Sequence, residues 1–243
     1  MERLIDRLFN TARFYIAALD GQEGFSHEKQ NTTNLSAKEP EQVLRVLHAI
    51  LQEAHPETGA PYWRIRCWGL ACWQPIYLAM ICVYQLKAIP LHLQDLEQKQ
   101  QGEMIAGYRL LDGIWQEGNH ETLVKTVCEQ LNIIFTSFET AHIDAFGGQP
   151  ALYKGLLADQ LMSALIAVRN LLPNEQKHNL EKDFRLWANA MNLPLKPLEG
   201  LSLDTTEAPV FVRHTCCLHF RRDGGELCSN CPRLHNRKAK LAP

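Results

Sequence analysis

No G-x-G-x-x-G fingerprint of a dinucleotide-binding turn occurs in this 243-residue chain, so oxidation of NAD(P)H is expected to belong to a separate protein. Neither an internal repeat nor a low-complexity tract is visible, which excludes a repeat array. The opening MERLIDRLFNTARFYIAAL is broken by Glu2, Arg3, Asp6 and Arg7 and holds no apolar run of signal-peptide length. It is not Arg/Ser-rich enough for a transit peptide either, so a cytoplasmic location is expected. Charge is absent from CWGLACWQPIYLAMICVYQL (67–86), a run nearly long enough to cross a bilayer. Gln74, Pro75 and Gln85 interrupt it, and a buried core helix is expected there rather than a membrane span. The chain is therefore not expected to be an integral membrane protein. No stacking module or upstream basic face speaks for nucleic acid.

What is present is ordinary for a globular protein: 46% hydrophobic and 21% charged residues, enough to build a core without disulfides. The eight cysteines need another explanation, and in a reducing compartment clustered cysteines point to metal or redox chemistry. The net charge of −2 conceals an asymmetry. Residues 209–243 carry seven Lys/Arg against Asp223 and Glu226, while the remainder has 18 against 25. The basic charge gathers around the cysteines.

Periodicity predicts a mostly α fold of the α+β kind. Leu4, Leu8, Ala12, Tyr15 and Leu19 recur at helical spacing, and Pro40 starts a second helix carrying Val43, Leu47, Ile50, Leu51 and Ala54. Between them GQEGFSHEKQNTTNLSAKEP reads as a long loop. YWRIRCWGLACWQPIYLAMICVYQL reads as a buried helix, kinked before Pro75. AIPLHL and GEMIAGYRL alternate as strands of a hairpin or small sheet, with polar QDLEQKQQ as the spacer. Three helices follow, through Leu123–Phe138, Leu152–Leu165 and Leu180–Met191, separated by FGGQP and by Pro173 with Asn174. LPLKPLEGLSLDTTEAP shows no helical stripe and reads as a connector. Two regions are expected: a mostly helical substrate-binding body over 1–205 and a cysteine-bearing segment over 206–243.

Within VRHTCCLHFRRDGGELCSNCPRL, Cys216, Cys217, Cys228 and Cys231 follow the pattern C-C-x10-C-x2-C. A structural zinc would accept four thiolates, but adjacent cysteines diverge in extended backbone, which hinders closure on one ion. A two-iron cluster offers two attachment points and is normally held by four cysteines. A dithiol pair at Cys228 and Cys231 is the third option, without the surrounding βαβ pattern of a thioredoxin-like motif. Gly224 and Gly225 permit positive φ and close approach of backbone N–H groups to sulfur. Cys67, Cys72, Cys82 and Cys128 sit in apolar helical settings and read as inert core residues. Trp63, Trp68 and Trp73 read as core, with lining of a bulky ligand site as the alternative. Arg237, Lys238 and Lys240 read as a solvated basic tail, with docking of an acidic electron donor as the alternative.

This stretch resembles the C-terminal signature of the FhuF-like siderophore-iron reductases, over roughly 25 residues. The resemblance implies a [2Fe-2S] cluster held by Cys216, Cys217, Cys228 and Cys231. It implies one-electron reduction of Fe(III) in a siderophore, with Fe(II) released in the bacterial cytosol, and a separate electron donor, ferredoxin-like or NAD(P)H-dependent. Arg213, Arg221 and Arg222 would offset the cluster's negative charge and stabilise its reduced state. His214 would hydrogen-bond a sulfur or pass protons. A zinc-stapled helical binding protein and a cluster-bearing sensor are the rival expectations.

Overall fold

Helix α3 (Ala60–Ile81) has little room for a solvent face, because past Arg66 it holds no charged side chain. Trp68, Ala71, Cys72, Ile76, Leu78 and Met80 are among its buried residues. It packs against α2 (Pro40–Ala54), α4 (His120–Phe146) and α5 (Pro150–Asn170), which makes it the axis of the core. The structure, a computed structural model, describes residues 2–24, 34–173 and 179–235. The basic tail Arg237, Lys238 and Lys240, most of the polar stretch before residue 34, and Asn174 lie outside the described residues.

The helix runs on through Pro75, where the sequence suggests a kink. Proline has no N–H for the carbonyl four residues earlier, so the Ala71 carbonyl loses its helical partner. Gln98 Nε2 donates to it at 2.9 Å instead, with the Gln98 side chain buried. The cost of the proline is thus met by a residue from a neighbouring sheet. The chain then widens into a π-helical turn, Cys82–Leu86, closed by Lys87 at φ 58°.

Helix α1 (Leu4–Tyr15) buries Ile5, Leu8 and Ala12, and Leu19 reaches the core from beyond the helix end. Helices α4, α5 and α6 (Leu180–Ala190) lie where the apolar periodicity puts them. A buried network ties α6 to the rest: Trp187 Nε1 donates to Tyr84 Oη (3.1 Å), and Tyr84 Oη to Asp183 Oδ2 (2.9 Å). His120 Nε2 meets the other Asp183 oxygen at 3.0 Å.

The sheets depart from the sequence reading. The main one has order β1-β5-β4-β2 and comprises β1 (Gly21–Glu23), β2 (Asn34–Leu35), β4 (Glu97–Gln101) and β5 (Met104–Leu110). β1 runs parallel to β5, while β4 is antiparallel to both β5 and β2. Strand β4 is the supposed polar spacer, and the ends of the supposed long loop supply β1 and β2. Tertiary pairing overrides the low strand propensity of EQKQQ. Strand β3 (Ala88–Pro90) pairs instead with β6 (Trp115–Glu117). The supposed connector after α6 holds a hairpin, β7 (Leu201–Leu203) with β8 (Pro209–Phe211), which straddles the expected boundary at 205/206.

Two helical stretches, Ala60–Leu86 and Pro150–Asn170, are long and apolar enough to cross a membrane. In the first, 83% of the most apolar window is buried inside the protein, and in the second 50%.

Candidate metal centre

The cysteine segment leaves β8 and is held to the body by one buried carboxylate. Asp159, in the middle of α5 and 2% exposed, accepts from the His214 N–H (3.0 Å), the Thr215 N–H (2.6 Å) and Thr215 Oγ1 (2.5 Å). Gly155, one turn earlier, clears the way: a Cβ there would come within 3.3 Å of Thr215 Cγ2. At the other end the 3-10 turn preceding α3 takes the loop, as Arg221 Nη1 donates to the Thr58 carbonyl (3.2 Å) and the Asp223 N–H to Glu57 Oε1 (3.2 Å). The two ends of the segment close on each other through the Arg213 N–H to the Asn230 carbonyl, 3.0 Å.

Between these ties the adjacent cysteines turn to different partners. Leu218 sits at φ 58°, a left-handed conformation that a leucine adopts only under constraint. It is buried against Tyr62 and Ile65, with Cys216 and Phe220 packed alongside. The turn brings two backbone amides near sulfur, Leu218 to Cys216 and His219 to Cys217, and each helps to lower that thiol. Cys217 Sγ lies 3.4 Å from Cys228 Sγ, while Cys231 is close enough to Cys216 to help raise its thiol, after burial. The four thiols therefore form two pairs, each joining one of the adjacent cysteines to one of the C-x2-C cysteines. Among the described residues, no three His, Cys, Asp or Glu side chains are grouped as the ligands of one ion.

Arg213 is the cation at the sulfurs. Its Nη2 donates to Cys217 Sγ at 3.2 Å, and its Nε is buried without a hydrogen-bond partner. Burial raises the Cys217 thiol, but the hydrogen bond and charge of Arg213 outweigh it and hold the thiol below its ordinary value. Burial pushes the thiols of Cys216 and Cys228 up. The donor set fits a [2Fe-2S] group: two thiol pairs suit two irons, and an unpartnered guanidinium N–H beside them suits an anionic acceptor.

The other expected residues divide. His214 acts through its backbone N–H, and its ring is exposed. Arg221 is turned to the Thr58 carbonyl, and Arg222 lies close enough to His219 to help depress that imidazole, after burial. Gly224 has φ 70°, as anticipated. Gly225 does not aim its N–H at sulfur; it donates to the Arg222 carbonyl (2.7 Å), and a Cβ there would strike the His219 carbonyl. The four body cysteines are buried, and burial drives their thiols far above the ordinary range, which makes them inert.

A groove of about 530 Å³ opens against Cys217 and Cys228. Its walls include Trp68, Trp73, Tyr62 and Arg66 of α3, Met104 of β5, Asp159 and Gln160 of α5, and Arg213. Trp68 is buried and, with Trp73, lines this groove, whereas Trp63 does not. Sequence reading missed Asp159, Arg66 and Met104. An acidic residue inside the apolar stripe of α5 was the one available signal.

These features define an iron–sulfur protein in which a helical body frames the cofactor segment. Residues 213–233, which contain all four cysteines, match the family described as the FhuF 2Fe-2S C-terminal domain. The chain thus carries a [2Fe-2S] domain of the FhuF type. No solved structure matches the chain.

Proposed function

We propose that the protein is a ferric siderophore reductase that works in the cytosol. It takes single electrons from a separate donor, ferredoxin-like or NAD(P)H-dependent, and delivers them to chelated Fe(III). The supporting observation is the groove that ends on Cys217 and Cys228, next to the segment that matches the [2Fe-2S] family. Cys216, Cys217, Cys228 and Cys231 are the ligands in this reading, and a [2Fe-2S] group on them supplies one electron at a time. Trp73 offers apolar surface to a chelate, with the buried Trp68 beside it in the wall, and Arg66 offers positive charge. Siderophore oxygens hold Fe(III) far more tightly than Fe(II), so one electron loosens the ion while the chelator stays whole. Arg213 lowers the cost of added negative charge at the sulfurs, and Asp159 keeps the thiols against the groove. The functional unit in this reading is the body of 1–205 with the segment of 206–243, free of membrane and nucleic acid.

The test is anaerobic purification of the full chain, iron and sulfide analysis, and turnover of a panel of ferric siderophores by dithionite-reduced protein with a ferrous-specific trap. Red-brown protein with equimolar iron and sulfide that turns over at least one chelate is the expected result. Colourless protein containing zinc would sink the proposal, and a cluster that reduces but passes no electron on would make the protein a sensor.

A further inference from the structure

The two thiol pairs lie in different surroundings. Cys216 packs against the cluster of Tyr62, Ile65 and Leu218, and Cys231 is 1% exposed. Neither lines the groove, whereas Cys217 and Cys228 both do. The cation is on the same side: Arg213 donates to Cys217 and lines the groove together with Cys217 and Cys228. Asp159, the nearest buried carboxylate, is already engaged by two backbone amides and the Thr215 hydroxyl.

We propose that the thiols divide into an anchoring pair, Cys216 with Cys231, and an exit pair, Cys217 with Cys228, with Arg213 drawing the transferable electron toward the exit pair. The word exit rests on the reductase reading; the inequivalence of the pairs does not. Positive charge and hydrogen bonds to sulfur favour the reduced state where they act, and both act on Cys217. The groove opens on the same side. One electron enters from a reduced iron–sulfur protein or flavoprotein and leaves to the chelated Fe(III), which becomes Fe(II). No bond to the protein forms or breaks. Cys216, packed on the apolar cluster of Tyr62, Ile65 and Leu218, and the buried Cys231 would anchor the group.

Mössbauer spectra of the full chain loaded with 57Fe and reduced by dithionite test this division. Reduced wild type is expected to show one ferrous and one ferric iron. Arg213→Gln is expected to alter the ferrous signal, leave the ferric signal in place and shift the midpoint to more negative potential. Arg213→Lys, which keeps the charge without the fork of N–H donors, is expected to fall between the two. A change confined to the ferric signal, or no change in either, would overturn the assignment. Spectra that shift as expected in protein that reduces none of the ferric siderophores would leave the pairing standing and remove the reductase function. Protein that gathers no iron and sulfide refutes both.

Discussion

Asp159→Ala is the sharpest perturbation the structure offers. The carboxylate accepts three hydrogen bonds from the first residues of the cysteine segment. A bond to a charged acceptor contributes about 1.5–3 kcal/mol net, and neighbouring bonds are not additive. Offset against the desolvation of a buried carboxylate, a loss of about 3 kcal/mol in docking of the segment is a fair central value. At 1.4 kcal/mol per decade this raises the open population about 100-fold. The loss is local, because the helices of the core do not depend on this contact. Native-state hydrogen exchange reads it directly: amides 214 and 215 lose their acceptor, and 213 and 231 are expected to lose about 100-fold in protection. Amides of α4 are expected to keep theirs. Asp159→Asn retains one acceptor and is expected to lie between. Unchanged exchange across 213–231 in the alanine variant would refute the role of Asp159 as the strut. Loss of protection throughout the body would instead make Asp159 a core residue, and the claim of a locally docked segment would fail.

Three further outcomes follow from the same geometry. Burial, with His48 and Arg64 adding repulsion, pushes the His142 imidazole down to about 3. The unfolded chain therefore takes up a proton below its ordinary value near 6.5 that the folded chain refuses, so stability is full above pH 6.5 and declines by up to about 1.4 kcal/mol per unit as pH falls toward 3. Denaturation curves at pH 7 and 5.5 are expected to lose most of that slope in His142→Phe; an equal slope in the variant would assign it to other groups. Gln98→Leu orphans the Ala71 carbonyl below Pro75 and is expected to cost about 1–3 kcal/mol, read as a lower denaturant midpoint with the fold retained. Arg66→Gln removes a charge from the groove wall and is expected to raise KM for an anionic ferric chelate several-fold with little change in kcat. A fall in kcat at constant KM would count against that position as a docking residue.

Legibility in the sequence tracked the range of the interaction. Helices α2, α4, α5 and α6 were readable because an apolar stripe and its punctuation are local properties. Strand β4 was not: nothing in EQKQQ announces a strand, and it exists because β5 and β2 flank it and Gln98 is needed under Pro75. The hairpin β7–β8 was hidden for a similar reason, its three-residue strands being too short to show alternation. Of the site, the four cysteines were legible from spacing. Arg213 was legible as a cation close to them, though its separation in role from Arg221 and Arg222 was not.

The chain order alone determined that four thiols lie within one short loop and that the neighbouring cysteines diverge wherever the backbone is extended. Which thiol meets which, and which pair looks onto the groove, only the folded molecule decided. The reason is that the deciding contacts come from afar: Asp159 lies 55 residues before His214, and Tyr62 and Ile65 on α3 hold Leu218 in the left-handed turn that splits the adjacent pair.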